Sequence, residues 1–261
     1  MKQLFLRTTN AEGRASGGFQ WPMEVGATVT APDWLPTRDY GNGLHGLLNG
    51  EGNYGDLNFN KDALWWIVEA EDAIDLGGKY KFKSCKIVAF GKREDITPMM
   101  RRMTGGAVHG LIETGVGRST LTGGVCSTLT GGHGSILTGG NFSILTGGGY
   151  SILTGLDQST LTGGDGSILT SGTRSTLTGG HASTLVGGYG SILTGGCRSI
   201  LTGGREAVLT GGDGSTLIFL RLVKNRNLAL VAYVGENGIL PNVAYRANED
   251  HTAVIPVEDE L

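Results

Sequence analysis

The chain has 261 residues, 47 of them glycine, with 21 Lys and Arg against 24 Asp and Glu for a net charge of −3. That balance gives no global electrostatic case for nucleic acid or an anionic membrane, and no stretch approaches the ~20 apolar residues of a membrane helix. Three cysteines, Cys85, Cys126 and Cys197, odd in number and without a C-x-x-C, argue against a disulfide framework and a zinc site.

Residues 1–102 are non-repetitive, hold all four tryptophans and read as a β-rich N-terminal domain. The opening MKQLFLRTTNAEG has no signal-like core or cleavage site, so a cytoplasmic or virion-associated protein is expected. Leu4–Thr8 is a short strand candidate, and Gly26–Ala31 alternates before Pro32. ALWWIVEAE (63–71) is a continuous apolar run and the strongest buried strand. Tyr80–Phe90 reads as another strand after a Gly77-Gly78 turn, and Glu94–Met103 as one short helix. The basic residues around Lys79–Arg93 read as a solvated surface.

Within this region, G-N-G-L-H-G sets His45 between glycines beside a tight turn. An imidazole there can act as a base or a ligand-binding group. Asp39, Glu51 and Asp56 are near in sequence, and Trp65 and Trp66 could supply an aromatic wall. The competing role is a structural histidine bonded to turn backbone. No nucleophile–base pair and no H-x-x-x-H spacing accompanies it, so no catalytic residue, metal or cofactor is expected.

From 103 to 218 the chain repeats every eight residues as G-G-x-x-S-[T/I]-L-T. Serine recurs from Ser119 to Ser215, with Ala207 the one exception, and a leucine follows two positions later from Leu121 to Leu217. So short a period can bury its side chains only against copies of itself. In a strand, alternate residues share a face, so Ser and Leu point inward and their two neighbours outward. The glycines turn the corner, through positive φ or close backbone approach. Two octads make a 16-residue coil with a strand on each side; a triangular three-octad coil is the alternative. Thirteen octads give a rod on the order of 30 Å long, with rungs at ~4.8 Å. Inward serines should form ladders along the axis. Outward threonines, among them Thr120, Thr122, Thr128, Thr130, Thr160, Thr162, Thr176 and Thr178, form β-branched arrays with interspersed Ile. Asp157, Asp165 and Asp213 occupy corners too irregularly for a calcium-binding roll. Residues 219–261 read as a small C-terminal β cap, with Gly235-Glu236-Asn237-Gly238 as a hairpin-type turn and a frayed acidic end, VEDEL.

The octads resemble the G-Y-G-S-T-L-T-A repeats of bacterial ice-nucleation proteins over roughly residues 115–218. They depart in their Gly-Gly corners, in the Ile that begins about half of the strands, and in number. The resemblance implies a β-solenoid whose threonine rows order water. Residues 14–90, with GGFQWPMEVGATVTAPDW, GNGLHGLLNGEG and WWIVEAE, resemble an uncharacterised small domain of phage and bacterial proteins. The expected fold is all-β. The expected function is a non-enzymatic, phage-linked repeat scaffold. It would present a Thr/Ile face or its N-terminal domain to a host or virion protein and form a homodimer. The alternatives are ice binding through T-x-T rows and sequestration of a small molecule or nucleotide near His45.

Overall fold

The computed structural model describes residues 2–257, which leaves most of the expected frayed end outside the described residues. The chain divides into two compact units, Met1–Glu113 with Gly123–Val125, and Thr114–Thr122 with Cys126–Leu261.

The first unit is built on seven strands: β1 (Gln3–Thr9), β2 (Thr28–Thr30), β3 (Leu44–Leu48), β4 (Leu64–Ala70), β5 (Ile74–Asp75), β6 (Tyr80–Phe82) and β7 (Ser84–Gly91). They form one antiparallel sheet in the order β2-β7-β4-β1-β3-β6-β5. Phe5, Trp21, Val29, Leu44, Trp66, Val68, Phe82 and Ile87 share one core cluster. Helix α1 (Arg93–Thr104) packs against β4 and β7 and buries Ile96, Thr97 and Met100. Glu94 and Asp95 lie in its first turn and Arg101 and Arg102 in its last, which suits the helix dipole. Gly105 ends it at φ 72°, with its N–H on the Arg101 carbonyl.

The single strand expected over Tyr80–Phe90 is two. The chain changes partner at Lys83: β6 pairs with β3, whereas β7 pairs with β4 and β2. The basic run is not all solvated either. Lys81 is fully buried; its Nζ donates to the Asp39 carbonyl at 2.9 Å and lies over the Trp34 ring.

In the second unit the coil is sixteen residues, because Leu121 pairs with Leu137, Leu129 with Leu145, and so on in parallel register. This settles the choice against three octads. Strands centred on Leu121, Leu137, Leu153, Leu169, Leu185, Leu201 and Leu217 follow one another in the first sheet. Those centred on Leu129, Leu145, Leu161, Leu177, Leu193 and Leu209 follow in the second. From Leu129 onward every one of these leucines is fully buried, at about 1.5–3 kcal/mol each.

The serine ladder forms as expected. Ser159 Oγ donates to the Gly140 carbonyl and accepts from the Ser143 N–H, at 3.2 and 3.4 Å. Ser175, Ser199 and Ser215 repeat this pattern one coil at a time. Each of these four hydroxyls thus satisfies both roles and ties one coil to the one before it.

At the corners the two offered reasons for glycine separate. The residue with positive φ is the one just before the serine, and nine of the thirteen octads carry a non-glycine there, including Phe142, Tyr150 and Arg174. The Gly-Gly pair serves close approach. A Cβ on Gly163 would lie 2.7 Å from Ser167 Cβ, and one on Gly164 would lie 2.8 Å from the Gly149 nitrogen of the preceding coil.

Both sheets end in antiparallel strands after residue 216. Thr216–Val223 turns back through Lys224-Asn225, at φ 46° and 61°, into Arg226–Tyr233. Ala244–Ala247 pairs with the Leu209 strand, and Val254–Pro256 pairs with it in turn. The turn expected to make a hairpin, Gly235–Gly238, instead connects strands of different sheets.

Candidate functional site

Two places attract attention: the outward faces of the solenoid and a cavity in the first unit. On the second sheet the residue after each leucine is threonine at every rung. Thr130, Thr146, Thr162, Thr178, Thr194 and Thr210 stand in register, each paired with the next. The residues before the leucines are Thr128, Ile144, Thr160, Thr176, Ile192 and Val208. Six of the candidate threonines, Thr128, Thr130, Thr160, Thr162, Thr176 and Thr178, therefore share this face. Thr120 and Thr122 lie on the other. That first sheet is more aliphatic, with Ile136, Ile152 and Ile168 on consecutive rungs and Ile200 beyond Thr184. Its other column is broken by Val186 and Ile218.

No titratable side chain stands in either pair of columns; charges are confined to corners. His133 and His181 are exposed there. Asp157 and Asp165 each accept a backbone N–H from one coil further on, at 2.8 Å, from Thr173 and His181. The corner carboxylates thus act as cross-coil acceptors.

In the first unit a cavity of about 700 Å³ is lined by Leu6, Arg7 and Thr8 of β1 and by Leu44 to Leu47 of β3, together with Trp21, Asp56 and Lys79. It opens because β1 and β3 pair only at Phe5–Leu48 and Leu6–Leu47 and then part. His45 lies on β3, just after the positive-φ bend of Gly41 and Asn42. Burial and the surrounding Lys79, Arg7 and Lys81 push its pKa down to about 4, against a weaker opposing effect of Asp56. His45 is therefore neutral at pH 7. Its Nε2 has no hydrogen-bond partner among the described residues.

The other residues expected around it are dispersed. Trp65 and Trp66 are buried within β4 and do not line the cavity. Trp66 stacks on Phe90 and donates to Thr9 Oγ1, and Trp65 meets Phe59 edge-on. Glu51 accepts the Ala107 N–H, and Asp39 contributes a carbonyl to Lys81. Of the nearby carboxylates Asp56 does reach the cavity, held by Lys79 at 2.9 Å. The aromatic wall is Trp21, with the Arg7 guanidinium 3.8 Å above its ring. Arg7 and Trp21 were not singled out from the sequence. An arginine inside the apolar strand QLFLRTT was the available signal.

No family model matches the chain, and no solved structure is significantly similar to it. Among characterised proteins, the ice nucleation protein InaU of Pantoea ananas is 32% identical over 96 residues, 35% of this chain and 9% of that protein. The ice nucleation protein of Pseudomonas syringae is 43% identical over 96 residues, 35% of this chain and 8% of its own length. The chain spans less than a tenth of the length of the curated relatives it matches. With this similarity and the sixteen-residue coil together, the repeats resemble those of ice nucleation proteins, and the second unit is a β-solenoid repeat scaffold.

Proposed function

We propose that the scaffold is non-enzymatic and binds ice through the threonine face of its second sheet. The unbroken column from Thr130 to Thr210 carries this reading. Its hydroxyls repeat at ~4.8 Å across rungs, and T-x-T neighbours on one strand are about 6.6 Å apart. β-Branched side chains are stiff at χ1, so the array is fixed before water arrives. A column of six rungs is roughly 24 Å long. That suits adsorption to an existing crystal better than the nucleation for which the far longer relatives are named. The test is thermal hysteresis and ice-crystal shape with the purified protein and with a T162Y/T178Y double variant. Faceted crystals with the wild type alone, at equal melting temperatures of the two proteins, are the expected result. Round crystals with the wild type would overturn the reading.

The isoleucines of the opposite face support a second role, self-association of two copies through the first sheet. Ile136, Ile152 and Ile168 are each 42–46% exposed on consecutive rungs, and such a row is apolar surface that a second copy could cover. Sedimentation velocity should show a dimer that I152K converts to monomer. A wild type that stays monomeric across the accessible concentration range would remove this role.

A further inference from the structure

We propose that the cavity between β1 and β3 binds a small organic molecule through a carboxylate or phosphate group, held side-on by Arg7. Arg7 is a charge without a counter-ion: it makes no ion pair among the described residues, its Nη1 donates to the His45 carbonyl at 3.3 Å, and its enclosed Nε has no partner. Arg7 is half-buried, and that burial lowers its pKa to about 10. An enclosed guanidinium left unpaired is costly, and a bound oxyanion removes that cost.

The geometry adds direction. Contact with the Trp21 face, 3.8 Å from Cζ to the ring centroid, holds the guanidinium in place. The edge carrying Nε is the one without a partner, and a guanidinium edge matches the two oxygens of a carboxylate or phosphate. Two further residues of the same lining carry an enclosed nitrogen without a partner, Trp21 at Nε1 and His45 at Nε2. Trp21 is only 1% exposed, so its indole N–H has no route to bulk water. His109 shows the contrast: it uses both ring nitrogens, one on the Gly52 carbonyl and one on the Val125 N–H.

The carboxylates of the lining do not fill the role of counter-ion. Asp56 is held by Lys79 and by Asn53 Nδ2, and Asp33 is exposed. The cavity volume of about 700 Å³ lies within the range of small-molecule sites. The ligand class is therefore a compact molecule with one oxyanion and a body that rests on the Trp21 side.

The experiment follows the His45 ring by NMR in the full chain, with inorganic phosphate, acetate and chloride at matched ionic strength. An oxyanion on Arg7 should raise the His45 pKa from about 4 saturably, because it offsets the cations around the imidazole. Chloride should not. A response to phosphate alone assigns a phosphate group, and a response to both assigns either oxyanion. Arg7→Gln should weaken the response by about tenfold or more, through loss of a charge-assisted pair. If Arg7→Gln does not fold, the Arg7 Nε–H resonance of the wild type carries the test and must shift with the same saturation. No difference among the three anions up to about 50 mM, where a site with a Kd of about 1 mM is nearly full, would overturn the proposal. Wild-type affinity in Arg7→Gln would do the same.

Discussion

A valine at Gly164 is expected to open the solenoid at that coil, at a cost above about 3 kcal/mol. The added Cβ would stand 2.8 Å from the Gly149 nitrogen and 3.0 Å from its Cα. Both are backbone atoms, so no rotamer relieves the contact. Only separation of two rungs does, and that breaks the parallel ladder joining them. Each coil is held by its neighbours alone, so the break divides the array. The matched control is Gly134→Ala. Gly134 sits at φ 69°, and an added Cβ would meet nothing closer than Arg118 Cγ at 3.5 Å. That change carries only the left-handed strain of about 1–2 kcal/mol, which nine other octads already bear. Urea unfolding of the two variants separates the causes. Equal losses would show that conformation, rather than close approach, explains the glycine pair.

Truncation after Val223 is expected to turn the chain into end-to-end polymers. The Leu217 strand is covered by eight residue pairs with Arg226–Tyr233, and the Leu209 strand by Ala244–Ala247. Removing them exposes two rows of unpaired N–H and C=O groups at one end of the stack, ready to accept another chain. It also uncovers Phe219 and Leu217, both buried in the full chain. The intact cap guards its own edge: the outermost strand beside the Leu209 sheet is Val254–Pro256, and Pro256 has no N–H to offer. Light scattering after size exclusion should show aggregates that grow with concentration. A truncated protein that stays small would mean the last rungs need no cover.

The repeats were legible because their geometry is local. Each octad carries its own inward Ser and Leu, and the ladder needs only a copy sixteen residues away. Even the allotment of Thr162 and Thr178 to one face and Thr122 to the other follows from counting octads alternately. The first unit was less legible because its decisive contacts are distant. LFLRT and ALWWIVEAE announce β1 and β4 by their own pattern. In β3, Gly46 sits where a Cβ would be 2.8 Å from Phe5 Cβ. That glycine is there for a neighbour 41 positions back, yet within G-L-H-G it reads as a turn. The burial of Lys81 depends on Trp34 and on the Asp39 carbonyl. Nearness to His45 in sequence offers Trp65 and Trp66 as a ligand wall, but the apolar run ALWWIVEAE buries both in β4, away from the cavity lining. The cavity needed Arg7, Trp21 and His45 together, and no spacing in the sequence joins those three.

The alternation of consecutive octads between two sheets imposes a parity rule on change by repeat gain or loss. Deleting one octad sends every later strand to the opposite side. A deletion of residues 147–154, for example, would bring Thr162, Thr178, Thr194 and Thr210 into line with Thr122 and Thr138 and leave Thr130 and Thr146 on the opposite side. Deleting two octads keeps each remaining strand on its side and only shortens the rod. Near-identical octads invite slippage during copying of the gene. In such an array the steps that leave a surface whole come in units of sixteen residues, and odd steps exchange one face for the other.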